Sequence, residues 1–559
     1  MHHTLSEVHF TLFIIERAEE FFYAQSTIKN AEVNAMQLSV NELRNKIKGC
    51  YTGKNIGGTF GAPFECKRQV NTVTFYTQDL SMGPPANDDL DLQLVWLNAV
   101  EKFGRTVDSH ILGEYWLSYI IPNWVEYGMA KANLRTSLLP PLSGYIDNTY
   151  GNSCGAFIRS EIWACLAPGH PEIAARYAYE DAIVDHCEEG AWGEVLYAAM
   201  QSSAFVENDY RKLIDIGLSY IPEDCDVSKA VRMAVSCYEN GVPVPECRIQ
   251  IHNAFPGTFG IQGIMLKDID PEGSKGMVNG RPGYDAPENI AFSIAAWLYG
   301  ENDFEKSLLI ANSFGEDTDC ICASLCSTLG ILLGEDAIPS KWKDPLNDKI
   351  STCCIKNTSI GLWIPDTATE LAERILRDIP LILDQDHCDI FGAEGLTVTC
   401  RENEDLFCES SDAYMHRINS FCKNPGLTVR ETTNLSPYVI RKKYPAFYLM
   451  IDLNGSINYQ VGKTRTISVT VSNDFYWNEQ HWVNITAYTK DDVTIESNGD
   501  VKLPLNNLSG TCAKADISFV ADNGNQGSID IMIGVGIIGR HSQGAIKVTL
   551  YQEAVNADE

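Results

Sequence analysis

The stretch SFGEDTDCICASLCSTLGILLG, residues 313–334, sets Glu316, Asp317 and Asp319 directly ahead of an uncharged apolar run rich in small residues. The run has the length and composition of a buried helix. Acids are favoured at a helix start because they cap free N–H groups and complement the dipole, and one cap is worth about 0.5–2 kcal/mol. One cap accounts for one acid. It does not account for three, because adjacent like charges repel more strongly as the site dries. Two positions apart on a regular helix, Asp317 and Asp319 would diverge by about 200°. They converge only if the backbone at the helix start is not helical.

A counterpart lies upstream, in PPANDDLDLQLVWLNAV (84–100). Pro84 and Pro85 stop the chain, Asn87, Asp88 and Asp89 sit at or just before a helix start, and Asp91 follows. Either a cation lies between the two clusters, as hard divalent ions take carboxylate, amide and water oxygens, or these are two solvated helix starts. The acids alone leave both open.

Working outward, GCYTGKNIGGTFGAPFE (49–65) carries Gly49, Gly53, Gly57 and Gly61 at a spacing of four. That spacing aligns them on one helical face, where the missing Cβ lets another backbone approach closely. The Gly61-Ala62-Pro63 turn should end the helix and present Glu65 just beyond it. Segments 92–104, 307–314 and 368–379 also place apolar residues three and four apart. Residues 36–384 therefore read as an all-α domain, preceded by a helical extension over 1–35.

After 385 the pattern changes. ISVTV (467–471), VNITAY (483–488), DISFV (516–520) and IKVTLY (546–551) are β-branched and aromatic, with turn-formers such as SNGD and DNGNQG between them. Residues 385–559 read as an all-β, sandwich-like accessory domain, with 385–435 as linker or sandwich edge.

The totals narrow the class. Asp plus Glu number 74 against 43 Lys plus Arg, a net charge of −31, which disfavours nucleic acid and anionic membrane surfaces as partners. No run approaches the roughly 20 apolar residues of a membrane span, and FTLFII (10–15) is too short, and too soon followed by charges, for a signal-peptide core. The 18 cysteines form no CxxC pair; reduced thiols in a cytoplasmic protein are the expectation.

Four blocks, in order over residues 44–342, resemble the ADP-ribosylglycohydrolase superfamily, which includes ADP-ribosyl-[dinitrogen reductase] hydrolase and related enzymes. GCYTGKNIGGTFGAPFE is similar to its Gly-rich helix with a terminal glutamate, and NDDLDLQL to its Thr-Asp-Asp-Thr block. GNSCGAFIRSEIWACLAP (151–168) is similar to its Gly-Asn-x-x-x-Met-Arg segment, and SFGEDTDC with the helix and GEDAIP that follow to its Gly-Gly-Asp-Thr-Asp-Thr block. The resemblance implies an all-α fold with two Mg²⁺ or Mn²⁺ ions in a central cleft. By position, Asn87, Asp88, Asp89, Asp317, Asp319 and Cys320 occupy the ligand positions, one late aspartate bridging the ions, and Glu65 that of the mobile glutamate. It further implies substrate contacts from Gly151 and Asn152, from Arg159, which could equally form a buried ion pair, and from His186, whose alternative is a structural histidine, with Trp192 beside it to line the pocket. Separately, the Gly/Pro-rich loop 279–291 could supply Tyr284 as a stacking surface or be an ordinary turn. The chain departs from the pattern at Cys320, a soft thiol for a hydroxyl, at Leu90, and at Glu316, which replaces a glycine and is expected to narrow the cleft.

The chemistry implied is hydrolysis of a ribosyl, notably ADP-ribosyl, N- or O-glycosidic bond through an oxocarbenium-like transition state. Glu65 is the expected general base, with Asp317 also catalytic. The substrate would be an ADP-ribosylated protein or a small ribosyl or glycosyl compound. Two alternatives stand beside it: a glycoside or nucleoside hydrolase for another furanosyl or carbohydrate substrate, and a non-catalytic binding protein. The residues leave the oligomeric state open.

Overall fold

A computed structural model describes residues 36–258, 269–278, 280, 283–355, 362–392, 395–408, 435–473, 480–489, 492–506, 512–522, 527–540 and 542–553. The extension expected over 1–35 lies outside the described residues. Two architectures follow one another along the chain. Up to Ile382 the described chain is helical apart from the three-residue strand Gln37–Ser39; strands then dominate from Val439 to Gln552. Each half has its own apolar core, one drawn from residues between Leu38 and Leu406, the other from Tyr444 to Leu550.

The helical half is organised around one antiparallel pair, Val40–Gly61 and Thr318–Leu333. The glycine spacing is what joins them. A Cβ at Gly49, Gly53, Gly57 or Gly61 would fall far inside contact distance of the carbonyl oxygens of Gly330, Cys326, Cys322 and Thr318 respectively. Each step of four down one helix matches a step of four up the other, so the two backbones touch from Gly49 to Gly61. This close packing brings the C-terminal end of the glycine helix beside the acidic start of the late helix.

The ends form as their residues dictate. Ser39 and Glu42 make a reciprocal capping box at the start of the glycine helix. At its other end a short 3₁₀ turn, Ala62–Phe64, carries the chain to Glu65. Asn87 caps Asp88–Phe103, its Oδ1 accepting from the Asp89 N–H at 2.9 Å. Asp317 lies just before Thr318–Leu333 with φ −91° and ψ 69°, outside the helical region. That conformation lets Asp317 and Asp319 face the same side.

Beyond residue 384, the stretch assigned from sequence to linker or sandwich edge adds strands Cys388–Asp389 and Thr397–Thr399 to Gln37–Ser39 in a small antiparallel sheet. Cys388, Val398, Cys400 and Leu406 enter the helical core.

The strand-rich half holds two five-stranded sheets. One runs Asp500–Leu505, His481–Tyr488, Ser528–Ile537, Gln543–Gln552, Asn458–Tyr459; the other Val439–Lys443, Phe447–Asp452, Thr464–Asn473, Cys512–Ala521, Val493–Ser497. Alternation fills the space between them: Ala513, Ala515, Ile517, Phe519 and Ala521 of one strand all face inward. This half is anchored on the helical one at Glu114, wholly buried, which accepts from Arg540 Nη1 at 2.9 Å and Ser542 Oγ at 2.8 Å. Strand Gln543–Gln552 also touches helix Val125–Arg135. Among the described residues no helix is long and apolar enough to cross a membrane, and no disulfide links the described cysteines.

Candidate metal centre and cleft

The two acidic helix starts meet. One oxygen from each of Asp88, Asp89 and Asp319 lies within 4.8 Å of the others, and so do ligand atoms of Asp317, Asp319 and Cys320. Asp319 is common to both groups, so two cation positions would share it. Asp89, Asp317 and Asp319 are at most 4% exposed. Both oxygens of Asp317, Oδ1 of Asp319 and Oδ2 of Asp89 have no hydrogen-bond partner.

Buried carboxylates without donors are costly unless they are protonated or paired with a cation. Burial, then the Asp319 carboxyl, pushes Asp317 well above the ordinary carboxylate range. Burial, then Glu65 and Asp89, does the same for Asp319. Asp89 is pushed up to about 8 by burial, against the pull of Lys54. The oxygen-rich donor set and these unpartnered atoms fit divalent cations, which would remove the repulsion that raises each group.

Asp88, Asp317, Asp319 and Cys320 line one cavity of about 750 Å³, together with Glu65 and Tyr284. Burial, then Asp317 and Asp88, pushes Glu65 up to about 8. Asn87 stands at the edge of the centre as a cap, its Nδ2 reaching Asp319 Oδ2 at 3.5 Å. The Cys320 thiol donates to Asp89 Oδ1 at 3.4 Å. The Tyr284 hydroxyl is paired with the Cys66 thiol at the cavity wall.

The remaining expected substrate contacts do not line the cavity. Arg159 is buried, donating from Nε to Asp181 Oδ1 at 2.9 Å and from Nη1 to Gly155 O at 2.8 Å and Asp185 Oδ2 at 3.1 Å. His186 is wholly buried and joins the Ser153 hydroxyl, itself at the cavity, at 2.8 Å. The Gly151 carbonyl accepts from Cys187 N at 3.0 Å, and that of Asn152 from Ala286 N at 2.9 Å. Trp192 stacks on Tyr179 with centroids 5.5 Å apart. None of these five is among the cavity-lining residues.

Glu316 does not narrow the cleft. It is fully buried, turns away from the cavity and pairs with Arg68, Nε to Oε1 2.5 Å. Glu316 N donates to Lys67 O at 3.0 Å and Cys66 N to Glu316 O at 2.8 Å, so the residue clamps the segment that follows Glu65. His252 and Glu288 are near Glu316, but their Nδ1–Oε1 contact of 2.5 Å and the bond from His252 Nε2 to Val278 O make a local network.

Part of the site carried no signal in its own stretch of sequence. Trp124, Glu126, Tyr127 and Met129, from NWVEYGM, form a wall of the cavity. The Tyr127 hydroxyl donates to Asp88 Oδ2 at 3.4 Å. Glu126, 5% exposed, is pushed up to about 8 by burial and then by Asp185. Lys54, in the glycine helix, is buried against Glu161 at 3.0 Å and supplies the cation facing Asp89. A charged residue among close-packed glycines was the available cue for it.

The helical domain carries paired acids from the starts of Asp88–Phe103 and Thr318–Leu333 to one cleft, and its family, which is hydrolase-like, is shown by comparison with known proteins. The chain belongs to the ADP-ribosylglycohydrolase family, whose profile matches residues 39–380. A solved structure described as an ADP-ribosylglycohydrolase-related protein complex is 17% identical, with a TM-score of 0.38, covering 62% of this chain and 100% of that one. No curated protein matches the chain.

Proposed function

We propose that the protein is a divalent-metal-dependent glycohydrolase that cleaves a ribosyl, specifically ADP-ribosyl, N- or O-glycosidic bond. The observation that carries this reading is the convergence of carboxylates from two helix starts beside one cavity, with both oxygens of Asp317 and one each of Asp89 and Asp319 left without a donor. Asp88, Asp89, Asp317 and Asp319 would hold Mg²⁺ or Mn²⁺, with Asn87 at the edge and Cys320 on the late side. Such ions, when bound, orient hydroxyls and acidify water. Glu65, at the cavity and flanked by Asp317 and Asp88, takes the proton of the attacking water as general base. Trp124, half exposed, and Tyr284 offer faces for a base or sugar ring. Catalysis belongs to the helical unit, 36–384 with the strands that complete its core; the unit after 385 is accessory and braces the helix that carries Glu126. Thiols outside any disulfide among the described residues accord with work in the cytoplasm.

A second reading has its own support. The described cavity-lining residues include five acids and no Lys or Arg. A pyrophosphate there would depend on bound cations and backbone N–H groups, whereas an uncharged furanoside would need neither. Calorimetric titration of the Mn²⁺-loaded protein with ADP-ribose, and separately with ribosides lacking phosphate, decides between them. Binding of ADP-ribose is expected. No binding at millimolar ligand would overturn the ADP-ribosyl reading and favour a neutral furanosyl substrate.

A further inference from the structure

The two groups that share Asp319 differ in kind. Asp88, Asp89 and Asp319 offer oxygen alone, whereas Asp317, Asp319 and Cys320 include a sulfur. Cys320 is 8% exposed, lines the cavity, and its Sγ lies with carboxylate oxygens of Asp317 and Asp319 inside a 4.8 Å group. Neither oxygen of Asp317 has a hydrogen-bond partner, and this fully buried carboxylate lies in the same group as the thiol, whose proton now goes to Asp89 Oδ1 at 3.4 Å and would leave on metal binding.

Ligand softness sorts divalent ions. Thiolate favours zinc-like ions, which bind sulfur at about 2.3 Å, while Mg²⁺ takes oxygen at about 2.0–2.1 Å and keeps its waters. An all-oxygen position beside a mixed sulfur-oxygen position therefore selects different metals at a shared bridge.

We propose that Asp317, Asp319 and Cys320 hold a thiophilic divalent ion of the zinc and cobalt class, while Asp88, Asp89 and Asp319 hold a hard ion such as Mn²⁺ or Mg²⁺. This rests on reading the cleft as a divalent-metal centre and specifies which metal enters which half. The cysteine is then a selectivity determinant, and the two halves fill independently of one another's supply.

Another thiol group serves as an internal control. Cys353 and Cys354 lie near Asp91, with their sulfurs 3.7 Å apart. There Asp91 Oδ2 already accepts from both backbone N–H groups, at 2.7 and 2.5 Å, which leaves only Oδ1 without a partner, and neither cysteine lines the cavity.

The test is optical titration of the metal-free full chain with Co²⁺, with and without Mn²⁺. The expected result is a thiolate-to-cobalt charge-transfer band that saturates at one Co²⁺ per chain, survives excess Mn²⁺, disappears in Cys320→Ser and persists in Cys353→Ser. Cys320→Thr should lose the band and shift the preference at that position toward Mn²⁺ by about 10- to 100-fold. Circular dichroism and the thermal midpoint of each variant report folding. Retention of the band in Cys320→Ser, or stoichiometric Co²⁺ binding without any thiolate band in the wild type, would overturn the proposal. Two equivalent Mn²⁺ ions per chain in an active hydrolase would overturn it too, while leaving the proposed reaction standing.

Discussion

Arg68 and Glu316 form a buried ion pair, Nε to Oε1 2.5 Å, with side chains 1% and 0% exposed. Glu316 holds φ +61°, a conformation that ordinarily suits glycine. The pair ties the segment after Glu65 to the residue before Asp317, and neither side chain lines the cavity. Removing one partner strands the other: Arg68→Ala should cost about 3–5 kcal/mol in denaturant unfolding. The double variant Arg68→Met/Glu316→Gly should recover most of that stability. Its turnover should stay low because Glu65 is no longer held. Full activity in the double variant would show that the clamp does not position Glu65.

The glycine helix makes a sharper stability prediction. By helix propensity, Gly53→Ala should gain about 1 kcal/mol. The structure predicts the reverse, because the new Cβ would collide with the Cys326 carbonyl, which is backbone and has little room to move. A loss of about 3 kcal/mol is expected by chemical denaturation. Gly536→Ala, in a strand where an added Cβ meets nothing within 4 Å, should stay within about 0.5 kcal/mol of wild type.

For Asp317→Asn and Asp319→Asn, activity and stability should move in opposite directions. Burial and neighbouring acids raise both carboxyls. Such a group contributes its full stability below the ordinary carboxyl pKa and loses it as pH rises through the folded value. The amides do not titrate. At neutral pH and without metal, each variant should therefore melt higher than wild type, while turnover falls by about 10²-fold or more. Differential scanning calorimetry in EDTA, beside a rate assay, checks both halves. A variant with normal turnover would refute the assignment of the late block.

Glu126 gives a pH test away from the cation groups. Its pKa is raised to about 8, so its contribution to stability is complete below about pH 4 and is lost as pH rises through 8. Glu126→Gln should flatten that dependence, gaining on the order of 1–3 kcal/mol relative to wild type between pH 5 and pH 8.5. Parallel stability curves for the two proteins would contradict the raised pKa.

Where a local pattern carries a three-dimensional consequence, the sequence was readable. Glycines four apart demanded a partner backbone, and the late helix supplies it in matching register. Two acid clusters ahead of apolar runs demanded a common charge solution, and the starts of helices Asp88–Phe103 and Thr318–Leu333 meet at Asp319. Strands after 385 followed from alternation. Where function arises from tertiary placement, the residues were silent: Trp124 to Met129 look like any amphipathic segment until helix Val125–Arg135 is seated over the cleft. Glu316 misled for the opposite reason. An acid in an acidic block looks like part of the site, and only its pairing with Arg68, far away in sequence, turns it from the cavity into a buried ion pair. Arg159 and His186 matched a family pattern, but pattern position does not say whether a charge faces the cavity or the ion pairs behind it.

The most direct measurement is release of free ADP-ribose from a mono-ADP-ribosylated protein, followed chromatographically with metal-loaded enzyme, with EDTA-treated enzyme, and with Asp319→Asn. Metal-dependent release is expected, abolished by EDTA, restored by adding divalent ions back, and absent in the variant that loses the residue common to both cation groups. Release that is indifferent to EDTA and to Asp319→Asn, or no release by fully metal-loaded enzyme, would contradict a metal-dependent ADP-ribosyl hydrolase.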